Sequence, residues 1–175
     1  MNILYLCNKK TYDTKLCRVR FVSMTALSKL VHVKYWGTGW DSYNSDLCVQ
    51  ENIDKLEKKY DLIISYKPLE FKGISNVKIP LCIQYNEMFN KNSTLNEIIN
   101  SGCKLVVCHH LNEAQEYSKM NIPNVKFVYI GHCAEKTIFK DYGYEKEYDV
   151  LIAGYINNVY PLRMRLYNIL RMLKF

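Results

Sequence analysis

The sequence predicts an α/β fold of the Rossmann-like type, with a mostly parallel sheet and helices on both of its faces. Short apolar runs alternate with longer amphipathic segments along nearly the whole chain. This alternation is typical of a parallel sheet wound with helices. The runs are apolar at most positions and not only at every second one, which indicates strands that are covered on both faces.

Six apolar runs are the predicted strands of this sheet. They are residues 2–7 (NILYLC), 31–36 (VHVKYW), 61–66 (DLIISY), 80–85 (PLCIQY), 104–109 (KLVVCH) and 124–130 (NVKFVYI). Segments long enough for a helix lie between most of them, so we expect neighbouring strands to run parallel.

The segments between the strands are predicted helices. They are residues 14–30, residues 46–59, a helix between Thr94 and Gly102, and residues 113–120. Thr94 and Glu97 have the spacing of a capping box, and Gly102 is placed to end that helix. Asn112 is the predicted N-cap of the last of the four.

The last thirty residues predict the beginning of a second α/β unit. An apolar run at residues 150–153 leads to Gly154, and Pro161 suits the first turn of a helix in which leucines recur at helical spacing. We therefore expect residues 1–145 to form a Rossmann-like domain and residues 146–175 to be the first strand and helix of a second, truncated one. The strand at residues 148–153 is not expected to join the first sheet.

Composition favours a cytoplasmic protein that binds an anionic small molecule. The seven cysteines are an odd number and mostly lie in apolar runs, which indicates reduced thiols. No apolar stretch is long enough to span a membrane, and the first residues lack the pattern of a signal peptide. The net charge of +7 comes mainly from dispersed lysines, which favours a nucleotide diphosphate over nucleic acid as the partner.

Several common catalytic motifs are missing from the sequence. The loop after the first strand, Asn8-Lys9-Lys10-Thr11, has no glycine, so it is neither a dinucleotide fingerprint nor a P-loop. No serine lies in a G-x-S-x-G elbow, which disfavours a hydrolase. The cysteines and histidines do not have the spacing of zinc ligands, so we predict no metal site.

Polar residues that follow the predicted strands are the candidate site residues, because ligands of open parallel sheets bind beyond the carboxyl ends of the strands. Glu87 and His132 are candidate catalytic bases, since either side chain can take a proton from a hydroxyl group. Asn86 and His109 are candidate substrate-binding residues. For each of them a purely structural role is the alternative.

A second group of candidates lies near the end of the chain. Gly154 ends an apolar run, Asn157 follows it, and Arg163 stands near the start of the predicted helix. Free backbone N–H groups at a helix start attract phosphate, and a guanidinium group adds a charged fork. An ordinary capped helix with a solvated arginine is the alternative interpretation.

Residues 129–166 (YIGHCAEKTIFKDYGYEKEYDVLIAGYINNVYPLRMRL) resemble the junction between the two domains of GT-B glycosyltransferases. In that superfamily the last strand of the first domain leads through a turn and a polar linker to a strand of the type D-V-L-hydrophobic-x-G. An arginine-bearing helix then follows. The chain is most similar to glycosyltransferase family one and its spore-maturation-protein (CgeB-like) branch, some members of which are encoded by large DNA viruses.

The resemblance implies that the first domain binds a glycan or protein acceptor and the second a nucleotide-sugar donor. Sugar transfer would then take place in the cleft between them, with no obligatory metal or other cofactor. If the chain is viral, it would act in the host cytoplasm. The glycine-rich first loop of the superfamily is absent, and no acidic donor-ribose residues are matched. We therefore expect weak turnover, or none, from residues 1–175 alone.

Two other functions are weighed against transfer. A non-catalytic module that binds a nucleotide or sugar is the alternative. A response-regulator-like domain is disfavoured, because Asn8 and Lys9 stand where its acidic cluster would lie.

Overall fold

The protein is described by a computed structural model that covers residues 1–14, 18–85, 90–131, 141–145, 156 and 160–172, with the backbone alone at residues 18–20. The chain divides into two compact units, Met1–Phe139 and Lys140–Phe175.

The first unit is built on a six-stranded sheet. Its strands are β1 (Asn2–Leu6), β2 (His32–Trp36), β3 (Leu62–Ser65), β4 (Leu81–Tyr85), β5 (Leu105–Cys108) and β6 (Lys126–Tyr129). Their spatial order is β2-β1-β3-β4-β5-β6, and every neighbouring pair is parallel. This confirms the predicted α/β fold with a Rossmann-like sheet, and each predicted run contains one strand.

The helices in the described part of the chain are mostly short. They are α1 (Lys9–Asp13), α2 (Arg18–Leu27), α3 (Val49–Ile53), α4 (Lys91–Ser101), α5 (Leu111–Ser118) and α6 (Pro161–Met172), and two 3-10 turns lie at Pro68–Glu70 and Ile74–Asn76. No helix among these described residues is long and apolar enough to cross a membrane.

Two hydrophobic cores lie on opposite faces of the sheet. On one face Met24 of α2 packs with Ile3 and Tyr5 of β1. On the other face α3, α4 and α5 contribute buried side chains such as Ile98 and Tyr117. Right-handed crossovers explain this division, because the chain moves from β1 to β2 in one direction and from β3 to β6 in the other.

The reversal of direction places a switch point between β1 and β3. The segment after β1 passes over the α2 face, whereas the segment after β3 passes over the opposite face. The two loops therefore separate at the carboxyl edge of the sheet, which is where open α/β sheets have room for a ligand.

The predicted helix at residues 46–59 is wrong in extent. The helix α3 spans only Val49–Ile53. It begins after its N-cap residue, Cys48, whose backbone N–H donates to Glu51 Oε2 at 2.7 Å. Buried Asn52 fixes the preceding loop: its Oδ1 accepts from the N–H of Asn44 and its Nδ2 donates to the carbonyl of Asn44, each at 2.8 Å. The polar residues on either side of α3 thus belong to loops and not to the helix.

The predicted caps of α4 and α5 are also corrected. The α4 helix starts earlier, at an Asn90 cap whose Oδ1 accepts from the N–H of Ser93 at 3.0 Å, which leaves Thr94 buried inside the helix. The cap position of α5 is His110 and not Asn112, which lies within the helix. Gly102 ends α4 with φ of +70°, as predicted.

Segment 14–30 also differs from the prediction. Its helix α2 spans Arg18–Leu27, and the separate short helix α1 precedes it. Asn8 caps α1, since its Oδ1 accepts from the N–H of Lys10 at 2.9 Å.

In the second unit, Pro161 opens α6 as predicted. The strand predicted at residues 148–153 lies outside the described residues.

Candidate functional site

A crevice opens at the switch point between β1 and β3. Its volume is about 220 Å³. One side is formed by the end of β1, by α1 and by α2, and the other by the loop after β3. The lining residues are Tyr5, Leu6, Cys7, Asn8, Thr11, Phe21, Tyr66, Lys67, Glu70 and Phe71.

Aromatic rings form the α2 side of the crevice. The ring of Tyr5 meets those of Phe21 and Tyr35 edge to face, with centroids 6.0 Å and 5.6 Å apart. Tyr12 of α1 packs on the same cluster, with its ring centroid 4.9 Å from that of Phe21. Edge-to-face contacts are a favourable arrangement of aromatic rings, and they give this wall a largely apolar surface.

The loop after β2 supports the floor of the crevice. The N–H of Cys7 donates to the Trp36 carbonyl and the N–H of Lys9 donates to the Thr38 carbonyl, both at 2.9 Å. Gly37 has φ of +136°, and a Cβ at this position would lie 2.6 Å from the Cys7 carbonyl oxygen and 2.9 Å from the Phe71 ring. Gly37 therefore allows close packing beneath the crevice.

Cys7 is the one thiol that lines the described part of the crevice. Burial raises its pKa to about 12. Because the nucleophilic form of cysteine is the thiolate, Cys7 stays neutral near pH 7 and is a poor nucleophile.

The mouth of the crevice carries both signs of charge. Lys67 and Glu70, in the loop after β3, are exposed. Tyr66 of the same loop is half-buried, and its ring lies edge-on to Tyr85, with centroids 6.0 Å apart. The crevice thus combines aromatic walls with a few polar groups at its opening, the usual character of a small-molecule site.

Most of the predicted site residues lie outside the described residues. These are Glu87, His132, Asn86, Gly154 and Asn157.

The other two predicted site residues are described. Arg163 lies in α6 of the second unit, where its guanidinium carbon is 4.6 Å from the centroid of the Tyr160 ring. His109 lies in the first unit at the end of β5, but it faces a separate cavity and does not line the crevice.

Asn8 and Lys67 directly follow predicted strands, where site residues are expected, but the sequence does not indicate the aromatic walls. Phe21 is a helical residue and Phe71 follows a 3-10 turn, and neither has a motif that marks it as part of a site. The missing signal was the strand order, because only that order shows that β1 and β3 are neighbours at a switch point.

No three His, Cys, Asp or Glu side chains cluster closely enough to hold a metal ion in the part of the chain that the structure describes. His132 and Cys133 lie outside that part.

Comparison of the chain with protein-family models, with curated proteins and with solved structures finds no match in any of the three. The assignment of a function therefore depends on the fold, on the crevice and on the resemblance of residues 129–166.

Proposed function

We propose that the chain is a GT-B-type glycosyltransferase-like protein whose first unit receives a sugar acceptor in the switch-point crevice. The observation that carries the proposal is the position of an aromatic-walled crevice at the carboxyl edge, between β1 and β3 of an all-parallel sheet. Ligands of open α/β sheets bind at this place.

The chemistry of the crevice suits a carbohydrate. A sugar ring presents an apolar C–H face and a rim of hydroxyl groups. The rings of Phe21 and Tyr66 offer apolar surface, while Thr11, Lys67 and Glu70 offer polar groups within the same crevice. A purely apolar ligand would leave these polar groups without partners, and a highly charged ligand would meet the aromatic walls.

The transfer step follows from the resemblance. A base, Glu87 or His132, takes the proton of the acceptor hydroxyl as its oxygen attacks the anomeric carbon of the donor. The bond from that carbon to the donor phosphate breaks, and the nucleoside diphosphate leaves with the electron pair. Asn86 is assigned to substrate binding, while Gly154, Asn157 and Arg163 are assigned to the donor phosphates. His109 is a predicted substrate-binding residue, but it lines a separate cavity and is not given a role in transfer.

A binding module without catalysis is the second candidate. It is favoured by the neutral thiol of Cys7 and by the absence of histidine from the described crevice lining, in which Glu70 is the only carboxylate. Glu70, which is exposed at the mouth, is therefore the one candidate base in the described lining.

A screen of nucleotide-sugar donors with simple sugar acceptors separates the two candidates. It should be run on this chain and on any longer product of its gene, with nucleoside diphosphate release as the measure of turnover and calorimetry as the measure of binding. Transfer that requires Glu87 and is lost in Glu87→Gln supports the transferase. Sugar binding without transfer in either product supports the module.

A matched pair of variants tests the crevice itself. We expect Tyr66→Ala to weaken sugar binding about tenfold, because it removes an aromatic wall. Gln115→Leu, on the exposed side of α5, is the control and should bind as the unchanged protein does. The absence of any sugar or nucleotide-sugar binding would contradict both candidates.

A further inference from the structure

A second cavity lies on the α2 face of the sheet, apart from the crevice. Its volume is about 330 Å³. Met24 and Leu27 of α2 form one side, and Ile64, Cys82 and Val107 of the sheet form the other. None of its described lining residues is Asp, Glu, Lys or Arg, so the cavity is suited to an uncharged guest.

Two buried polar side chains interrupt the apolar lining. Gln84 is 6 % exposed and His109 is 7 % exposed. His109 Nδ1 lies 2.7 Å from the Ile130 carbonyl oxygen. Since a carbonyl oxygen only accepts, Nδ1 carries the hydrogen, and in the neutral ring Nε2 is left as an acceptor. The amide of Gln84 donates to this nitrogen at 3.3 Å.

This arrangement orients the amide of Gln84. Its nitrogen faces His109, and its Oε1 is buried with no hydrogen-bond partner among the described residues. A buried carbonyl oxygen without a donor is destabilising, because it has lost its water without a replacement. Gln84 lines the cavity, so a guest that offers a hydrogen-bond donor beside it would satisfy Oε1.

We propose that this cavity binds an uncharged, mostly apolar small molecule that carries one hydroxyl group. The apolar part packs against Met24, Leu27 and Val107, and the hydroxyl donates to Gln84 Oε1. The size is suitable, since a dry cavity of about 150 Å³ already accepts benzene. The site is independent of sugar binding, because its described lining shares no residue with that of the crevice.

The test uses the full chain, labelled with ¹⁵N, and a matched pair of probes. The probes are 4-propylphenol and propylbenzene, which differ by one hydroxyl group. We expect both to bind saturably and to shift the amide signals of residues around Met24 and Val107. The phenol should bind about tenfold more tightly, because its hydroxyl makes one additional hydrogen bond, to Gln84 Oε1.

Two variants locate the interaction. Gln84→Leu keeps the size of the side chain but removes the acceptor, so the two probes should then bind within about twofold of each other. Gln115→Leu is the same substitution on exposed α5 and should keep the tenfold difference. Ala26→Phe introduces a ring at the cavity wall and should abolish the binding of both probes.

Three results would overturn the proposal. They are the absence of saturable binding of either probe, equal affinity of both probes for the unchanged protein, and shifts confined to the crevice at residues 5–11 and 66–71. The comparison of the two probes on the unchanged protein needs no variant, so a failure of Gln84→Leu to fold leaves the test intact.

Discussion

Individual residues at the carboxyl edge determine the shape of the crevice. Gly37 lets the loop after β2 approach the Cys7 carbonyl, and the neighbouring N–H of Lys9 donates to Thr38. The sequence shows a glycine here, but only the structure shows that backbone and ring atoms fill the space of a Cβ. This is why the packing role of Gly37 could not be predicted from the sequence.

Replacement of Gly37 by alanine tests this role. We expect Gly37→Ala to lower the free energy of unfolding by about 2–4 kcal/mol, because a Cβ meets Cys7 and φ of +136° is strained for any other residue. Gly102→Ala is the control: its φ is +70° and the nearest atom, the Ser75 carbonyl oxygen, is 3.2 Å away. It should cost only about 1 kcal/mol. Urea unfolding measures both, and equal losses would contradict the packing argument.

The buried thiols make a second prediction at the residue scale. Burial raises the pKa of Cys82 and of Cys108 to about 12. Both should therefore resist iodoacetamide in the folded protein at pH 8, since little thiolate is present and access is blocked. Half-buried Cys48 should react first of the three. Peptide mass spectrometry after a timed reaction follows each site, and rapid native labelling of Cys108 would contradict its burial.

At the scale of elements, the strands were predictable and the helix ends were not. Strands such as β4 are buried on both faces and mostly apolar, so their identity follows from composition alone. The start of α4 depends on the Asn90 side chain, and the start of α3 depends on its Cys48 cap and on the preceding loop, which Asn52 holds. The spacing of apolar residues does not reveal these polar contacts, which is why the longer predicted helix at residues 46–59 was wrong.

A hydrogen bond joins β4 to α4. The hydroxyl of Tyr85 donates to Glu97 Oε2 at 2.7 Å. We expect Tyr85→Phe to lower the free energy of unfolding at pH 7 by about 1–2 kcal/mol, because the variant lacks the hydroxyl and half-exposed Glu97 loses its hydrogen-bond donor. Urea unfolding at pH 7 measures the loss. An unchanged midpoint would mean that the contact adds nothing to stability.

The same pair predicts how stability changes in alkali. Burial and the neighbouring Glu97 raise the pKa of Tyr85 above its usual value. The folded state therefore keeps a proton that the unfolded chain releases above about pH 10, so stability falls as the pH rises through that region. Tyr85→Phe should reduce this fall. A steeper alkaline loss in the variant than in the unchanged protein would contradict the assignment.

The exposed faces of α6 carry a further prediction. No described residue of α6 is buried, and Leu162 and Met172 are 70 % and 82 % exposed. Its amide hydrogens should exchange about 100-fold faster or more than those of the buried strand β1, because little packing opposes local opening. Hydrogen exchange read by mass spectrometry compares the two segments. Equal protection would show that α6 is part of a cooperative core.

For the whole molecule, the fold class was predictable and the position of the site was only partly so. Apolar runs predicted six parallel strands, but periodicity carries no information on their spatial order. The order β2-β1-β3-β4-β5-β6 is what places the crevice between Tyr5 and Tyr66. The candidate bases Glu87 and His132 lie outside the described residues, so their roles remain predictions.

The most direct test of the account is to map where a sugar binds. The ¹⁵N-labelled chain is titrated with simple sugars and nucleotide sugars, and the amide shifts are followed in the unchanged protein, in Tyr66→Ala and in Gln115→Leu. We expect saturable shifts at residues 5–11 and 66–71 that weaken about tenfold in Tyr66→Ala and persist in Gln115→Leu. The absence of binding, or shifts confined to the α2-side cavity around Gln84, would contradict a sugar site at the switch point.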